Sequence, residues 1–183
     1  MATPFKFIEI EKFDEFVNLP ENADRRFEYI GGEIVELPSN PYSSAIASNI
    51  IYFIQQFMRE HGIGGFVTTE AGGYMVSGER YAPDVAFISK AKQDALARHG
   101  YNPTPPDLAV EVISPSDSPN KLSIKISNYL AAGVVVWTVD PDTQTVAIHA
   151  QGNPTQSLSA EGVISGGDVL PGFDLPVKAI FAE

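Results

Sequence analysis

The chain has 183 residues, 44% of them hydrophobic, which suffices for the core of one domain and excludes a disordered protein. It has 23 acidic and 12 basic residues, and the net charge of −11 argues against a nucleic-acid partner, since duplex binding depends on lysine and arginine at phosphates. The absence of cysteine excludes disulfides and thiolate-bound metals. The longest apolar run, residues 130–137, is shorter than the ~18 residues of a membrane span, and the N-terminus lacks a signal-peptide core. We therefore expect a soluble protein of the cytoplasm with no membrane partner.

Short elements separated by turn residues fill the N-terminal part of the chain. Residues 11–19 are predicted to form a helix that ends before Pro20. Residues 26–30 and 33–37 have strand-like composition and flank Gly31-Gly32. Because adjacent glycines supply the positive φ angles of a tight turn, these two runs are predicted to pair as a hairpin.

Residues 43–61 carry the clearest helical pattern in the sequence. Apolar side chains recur there at spacings of three, four and seven, and Gly62 follows as a helix stop. The predicted apolar face consists of Ile46, Ile50, Phe53, Ile54 and Phe57. After this helix, residues 65–70, 72–76 and 83–88 are predicted strands, and the charged stretch 90–99 is predicted to be a helix or a loop.

A strand–helix–strand unit dominates the second half of the chain. Residues 108–113 are almost wholly apolar, which is typical of a strand covered on both faces. Ser118 and Pro119 supply an N-cap and a first-turn proline for a helix that runs to Ala132, and residues 134–140 form a second apolar strand. Such a unit requires a parallel strand pair joined by a right-handed crossover.

An edge strand over residues 145–149 and a short hairpin in the tail complete the predicted elements. Their order predicts an α/β fold organised as one domain over residues 1–183. The domain is expected to comprise an N-terminal helix and hairpin (1–41), a core (42–150) and a C-terminal hairpin and tail (151–183).

Two acidic residues lie in or beside apolar strands. Glu111 shares a strand face with Ala109 and Ile113, where an ionised carboxylate is costly unless a cation meets it. It pairs structurally with a lysine, lies at the solvated end of its strand, or has a function. Asp84 follows a proline, where aspartate commonly starts a turn, but a strand begins immediately after it. Two carboxylates from neighbouring strands can hold a hard divalent cation such as magnesium or manganese.

The helix between the two apolar strands carries two lysines and a tyrosine on one face. Lys121, Lys125 and Tyr129 follow one another at a spacing of four residues. The lysines either extend along a solvated surface, or one directs its ammonium over the strand ends toward Glu111. In that position it can orient a water and stabilise charge on a phosphate.

The three histidines are expected to be structural. His61 ends a helix, where a cation complements the helix dipole, His99 lies in a charged stretch, and His149 lies in an edge strand. None has the spacing of metal ligands. A serine hydrolase and a nucleotide-phosphate loop are not indicated, because their serine and glycine motifs are absent from the sequence.

Several motifs, taken in order, resemble one known family. They are RFEYIGGEIVELP at residues 26–38, TTEAGGYMV at 68–76, PDVAFIS at 83–89, DLAVEVISPSDSPNKLSIKISNYLAAGVVVWTVDP at 107–141 and LPGFDLP at 170–176. Together they resemble the family described as putative restriction endonucleases, which is numerous in cyanobacteria and belongs to the PD-(D/E)XK nuclease superfamily. The resemblance implies a restriction-endonuclease-like core of a helix, three strands, a helix and a fourth strand in a mixed sheet, with an added N-terminal β-hairpin.

The resemblance also implies a metal site. Asp84 and Glu111 match the metal-binding carboxylates of the superfamily, and the main-chain carbonyl of Val112 is expected to join them. They are expected to hold one or two Mg²⁺ or Mn²⁺ ions. Glu28 and Glu70 match acidic positions of the family and can complete the metal shell.

The lysine of the superfamily is displaced in this chain. The E-x-K motif would place it at position 113, which is Ile113 here, and the resemblance implies that Lys125 on the following helix takes the role, with Lys121 as the alternative. Tyr129 is a further candidate on the same helix face. Ser43 stands where family members often carry a histidine at the start of the long helix.

The function implied by the resemblance is metal-dependent hydrolysis of phosphodiester bonds by an activated water, with DNA as the expected partner. The alternative is a non-catalytic member of the fold that serves binding or assembly, which Ser43 and the acidic charge favour. A homodimer is expected, through a parallel sheet edge or the N-terminal hairpin. Four metal-binding acids would leave the surface negative, so nucleic-acid binding is expected to be weak, metal-dependent and salt-sensitive.

Overall fold

The structure is a computed structural model that describes residues 8–37, 40–115 and 117–181. Pro38 and Ser116, which belong to the family motifs, lie outside the described residues. In chain order the elements are α1 (Ile10–Val17), a 3₁₀ helix (Pro20–Asn22), β1 (Phe27–Ile30), β2 (Glu33–Glu36), α2 (Pro41–His61), β3 (Gly65–Thr69), β4 (Tyr74–Val76), β5 (Glu79–Tyr81), β6 (Val85–Ser89), β7 (Leu108–Val112), α3 (Pro119–Ala131), β8 (Val135–Asp140), β9 (Thr145–His149), β10 (Gln156–Leu158), β11 (Val163–Ser165), β12 (Asp174–Pro176) and α4 (Val177–Ile180).

A six-stranded mixed sheet forms the centre of the fold, in the order β10-β9-β8-β7-β6-β3. The neighbours β7 and β8 are parallel and are connected through α3, whereas the other neighbouring pairs of this sheet are antiparallel. This confirms the predicted core, since α2, β3, β6, β7, α3 and β8 supply the helix, three strands, helix and fourth strand in that order. The predicted parallel sheet edge is wrong, because the parallel pair is central and the edge strands β3 and β10 each have an antiparallel neighbour.

The strand β7 contributes to both faces of the main sheet. Leu108, Val110 and Val112 pack in the core beneath α2. The strands β11 and β12 and the helix α4 contribute apolar side chains to the same core. Ala109 belongs to the second core, under α3. The predicted alternation along β7 is therefore correct, and it places Glu111 on the α3 side of the sheet.

A smaller four-stranded sheet, β2-β1-β5-β4, packs on the α3 side. The predicted hairpin forms its first two strands, and Gly31 and Gly32 take the expected positive φ angles of 58° and 85°. The strand β5 was not predicted, and β4 pairs with β5 rather than with the main sheet. Three-residue strands show too little alternation to be recognised, and their pairing depends on the distant hairpin.

Residues 90–99 form turns and bends rather than a helix. Asn102 organises this segment, since its side chain exchanges hydrogen bonds of 2.7 and 2.8 Å with the side chain of Gln93 and accepts one from the Ala97 N–H. Nearby, Gly73 lies so close to Tyr101 that a Cβ atom would be 2.3 Å from the ring. Side-chain hydrogen bonds and close packing therefore hold residues 90–99 as a loop, one of the two predicted alternatives.

The long helix α2 and the tail are built together. The buried side of α2 includes three predicted positions, Ile46, Ile50 and Ile54, and the Asn49 side chain donates to the Ile180 carbonyl at 3.1 Å. The predicted tail hairpin is β11–β12. Within the described part of the chain, no helix combines the length and apolarity needed to cross a membrane.

Candidate active site

A cavity of about 750 Å³ opens where the two sheets and two helices meet. Its wall is formed by the β1–β2 hairpin, the first turns of α2 and α3, and the ends of β6 and β7. Because β6 and β7 are antiparallel, with Val85 opposite Val110, the start of one strand and the end of the other lie at the same edge. Extending this register places Asp84 beside Glu111, and both line the cavity.

The Lys125 ammonium is buried between two carboxylates. Its Nζ donates to Glu111 Oε2 at 2.7 Å and to Glu28 Oε1 at 2.8 Å. The three side chains are only 8%, 11% and 3% exposed, respectively. The helix α3 projects the lysine over β7 from one side, and β1 of the small sheet brings Glu28 from the other. The cation expected from the burial of Glu111 is therefore Lys125.

Two further contacts hold these carboxylates. Tyr129, one turn after Lys125, donates its hydroxyl to Glu111 Oε1 at 3.0 Å. The Ala82 N–H donates to Glu28 Oε1 at 2.7 Å. Both Glu111 oxygens thus have a donor, and Glu28 is tied to the segment that precedes Asp84.

Asp84 is held by the strand opposite it. Its Oδ2 accepts a 2.7 Å hydrogen bond from the Val112 N–H. Burial raises the pKa of Asp84 to about 6, although the Val112 hydrogen bond and the Lys125 charge oppose that rise. Val112 and Asp84 are therefore adjacent at the cavity wall, while a ligand role for the Val112 carbonyl stays a prediction.

The cluster of Glu28, Asp84, Glu111 and Lys125 has more negative than positive charge. Burial raises the pKa of Glu111 to about 7 against the opposing charge of Lys125. Burial alone would lower the pKa of Lys125, but Glu111 and Glu28 outweigh it and hold that pKa above its usual value. With Asp84, the cluster has three carboxylates and one ammonium, an excess of two negative charges when all are ionised.

The other predicted site residues lie at the rim or in the wall of the same cavity. The Arg26 guanidinium donates a 2.6 Å hydrogen bond to the Glu70 carboxylate, and Lys121 makes a 2.8 Å ion pair with Glu33. Lys121 is therefore directed toward the hairpin. Ser43 is buried in the first turn of α2.

A family model described as "Putative restriction endonuclease" (Uma2) matches residues 13–178. The chain belongs to this family. Its structure is also similar to that of a protein from Anabaena variabilis described as a putative nuclease belonging to DUF820, with a TM-score of 0.77 and 24% identity over 92% of this chain and 96% of that one. This similarity shows the fold. A comparison with curated proteins gave no significant match.

At the cavity wall of this Uma2-family chain, Asp84 and Glu111 supply carboxylate oxygens, the ligand type that small divalent cations bind. Across residues 8–37, 40–115 and 117–181, no group of three or more histidine, aspartate or glutamate side chains is placed to hold a metal ion. Magnesium, however, is usually bound by one or two carboxylates together with water and phosphate oxygens. Asp84 and Glu111 supply two carboxylates at the cavity wall, and a divalent cation would offset their excess negative charge.

The histidines occupy other parts of the described structure. The His61 Nδ1 lies 3.0 Å from the Phe57 carbonyl at the end of α2. His149 in β9 lies 3.2 Å from the hydroxyls of Thr138 and Thr155. None of the three lines the cavity.

Two features of the site, one beside Lys125 and one in the cavity wall, were not predicted from the sequence. The Tyr81 ring lies 5.6 Å from Lys125 Nζ in a cation–π contact, and Arg26 lines the cavity mouth. Tyr81 is separated from Asp84 by two residues, so its closeness to the PD motif was an available signal. Arg26 had no such signal, because its place depends on how the hairpin packs.

Proposed function

We propose that this chain is a metal-dependent endonuclease that hydrolyses phosphodiester bonds, with DNA as its substrate. Membership of the Uma2 family supports the reaction class. The observation that carries the proposal is the buried Lys125 ammonium, held between Glu28 and Glu111 in the same cavity wall as Asp84. This combination of paired carboxylates and a fixed cation suits a reaction in which negative charge develops on a phosphate.

Asp84 and Glu111, with the Val112 carbonyl, would hold one or two Mg²⁺ or Mn²⁺ ions. Restriction-endonuclease-like proteins generally use divalent metals. A bound cation supplies Lewis acidity toward phosphate oxygens and lowers the pKa of water. Asp84 is fixed for this role by the Val112 N–H, and Glu111 by the Tyr129 hydroxyl.

Lys125 would act by charge rather than as a base. Its raised pKa keeps the ammonium protonated near neutral pH. An ammonium has three N–H donors, and Glu28 and Glu111 take two of them. The third would be available to orient a water or to donate to a phosphoryl oxygen in the cavity. Glu28 would then position the lysine rather than bind metal.

Cleavage of supercoiled plasmid, single-stranded DNA and RNA in Mg²⁺ and in Mn²⁺ tests the proposal. We expect cleavage that EDTA abolishes, and Asp84→Asn and Glu111→Gln variants reduced by about 100-fold or more in rate. The matched control is Asp142→Asn, which changes an exposed aspartate in the turn after β8. Wild-type rates in both site variants would overturn the assignment.

A non-catalytic role in binding or assembly is the second candidate. It is favoured by the engagement of both Glu111 oxygens and by the absence of a three-ligand acidic or histidine group among the described residues. Calorimetric titration with Mn²⁺ discriminates between the candidates. Saturable binding that Asp84→Asn removes would support the nuclease. No heat and no change in melting temperature would support the second role.

Nucleic-acid binding is expected to be weak and salt-sensitive, because the net charge is −11 and the rim cations Arg26 and Lys121 are already paired with acids. A homodimer, with the N-terminal hairpin as the interface, and a cytoplasmic location remain predictions. Light scattering after size-exclusion chromatography tests the oligomeric state.

A further inference from the structure

Ser43 carries a buried hydroxyl with no hydrogen-bond partner among the described residues. The residue is 8% exposed, and its Oγ is shielded from solvent. Other helical serines of this chain bond back to the preceding turn, as Ser48 does to the Ser44 carbonyl at 2.8 Å and Ser127 to the Ser123 carbonyl at 2.8 Å. Since an unpaired buried hydroxyl destabilises a fold, the Ser43 Oγ is a costly group for which the described residues give no partner.

The position of Ser43 suits an anion. It lies in the first turn of α2, a helix of 21 residues whose positive dipole end contributes to the cavity wall. No acidic residue occupies that turn. The Tyr42 and Ser43 N–H groups already donate to Asn40 Oδ1, so the helix end contributes its charge while the Ser43 hydroxyl contributes a donor.

The same cavity contains the proposed reaction centre. Ser43, Asp84, Glu111 and Lys125 all line it. A nucleic acid whose scissile phosphate lies near Lys125 carries neighbouring phosphates along its backbone, each with non-bridging oxygens that accept hydrogen bonds. Lys125 donates from the α3 side, and Ser43 offers a buried, unpaired donor on the α2 side.

We propose that Ser43 Oγ and the N-terminus of α2 bind a phosphate oxygen of the nucleic-acid backbone. Rotation about χ1 of Ser43 turns its hydroxyl toward the bound phosphate. The inference rests on the proposed function, and it names Ser43 as a positioning residue that binds substrate without taking part in bond cleavage. In the free protein the unpaired Ser43 hydroxyl slightly lowers the stability of the fold. It gains a hydrogen-bond partner only when phosphate is bound.

The test compares Ser43→Ala with Ser48→Ala, a matched change on the exposed side of the same helix. Removing an unpaired hydroxyl is expected to leave the melting temperature of the free Ser43→Ala protein unchanged or raise it by about 2–4 °C. Inorganic phosphate, added in Mg²⁺ at constant ionic strength, is expected to stabilise wild type and Ser48→Ala. Its affinity for Ser43→Ala is expected to be about 10-fold weaker. For DNA cleavage, KM should rise about 10-fold in Ser43→Ala while kcat changes little.

Three results would overturn the inference: a clear fall in the melting temperature of Ser43→Ala, equal phosphate affinity in Ser43→Ala and wild type, or no phosphate binding by wild type. The proposed function can fail separately. If phosphate binding depends on Ser43 but no nucleic acid is cleaved in Mg²⁺ or Mn²⁺, the phosphate site stands and the nuclease assignment falls. If wild type cleaves DNA and Ser43→Ala keeps its KM, the nuclease assignment stands and the phosphate site falls.

Discussion

Replacing Lys125 by methionine removes the ammonium that lies 2.7 Å from Glu111 and 2.8 Å from Glu28, and it preserves most of the side-chain volume. The change leaves Glu111, Glu28 and Asp84 without their buried cation. Removing one partner of a buried ion pair costs about 3–5 kcal/mol. For a protein of this size, that loss corresponds to a fall in melting temperature of about 6–20 °C.

The cost of Lys125→Met is expected to depend on pH. Burial already raises the pKa of Asp84 to about 6 and of Glu111 to about 7, from ordinary values of 3.8 and 4.5. Protonation of these acids therefore favours the folded state below pH ~4, and that contribution is lost as the pH rises through about 6–7. Without Lys125 the ionised carboxylates are less favourable still, so the variant should be more destabilised at pH 8 than at pH 5.

Urea denaturation at pH 5, 6, 7 and 8 measures this difference. The matched control is Lys121→Met on the same helix, whose half-buried ion pair with Glu33 is expected to contribute less than about 1 kcal/mol at every pH. A loss below about 1 kcal/mol for Lys125→Met at pH 8 would refute the reasoning, as would an equal loss at pH 5 and pH 8.

Tyr129→Phe deprives Glu111 Oε1 of a donor at 3.0 Å and should cost about 1–3 kcal/mol in urea denaturation, whereas no loss would mean that Glu111 finds another donor. Burial lowers the pKa of His149, so its contribution to stability is present above pH 6.5 and is lost as the pH falls through the folded pKa. His149→Gln should therefore lose less stability than wild type between pH 7 and 5, and parallel curves would contradict this. Gly73→Ala should cost about 1–3 kcal/mol in thermal unfolding, since its Cβ would lie 2.3 Å from an aromatic ring, whereas Gly72→Ala, with its nearest contact at 3.7 Å, should change little.

Local sequence patterns were sufficient to predict the helices and strands that are long or covered on both faces. The helix α2 is 21 residues long, so its apolar side chains repeat often enough to identify the helical period, and Ile46, Ile50 and Ile54 are buried as expected. The strands β7 and β8 contain apolar runs on either side of α3, which left a parallel pair as the consistent arrangement. The short strands β4 and β5 lacked such signals, and their pairing was decided by contacts with the β1–β2 hairpin.

The candidate site was predictable to the extent that its residues follow from those elements. Glu111 in an apolar strand required a cation, and Lys125 is 14 residues further along, on the helix that returns over that strand. Asp84 was expected at the start of a strand neighbouring that of Glu111, but only the structure shows that β6 and β7 are antiparallel and that the start of β6 lies beside the end of β7. The resemblance to a known family links Asp84, Glu111 and Lys125 through its motifs.

The sequence by itself determined the elements of the core, the burial of Glu111 and the excess of acids, because these depend on periodicity and composition. Tertiary structure decided which partners those acids have. Glu28 and Lys125 are 97 residues apart, and only the packing of the small sheet on α3 makes Glu28 a partner of the lysine rather than a free carboxylate. The unpaired hydroxyl of Ser43 likewise exists only in the folded cavity, because whether a buried donor finds an acceptor depends on every element that surrounds it.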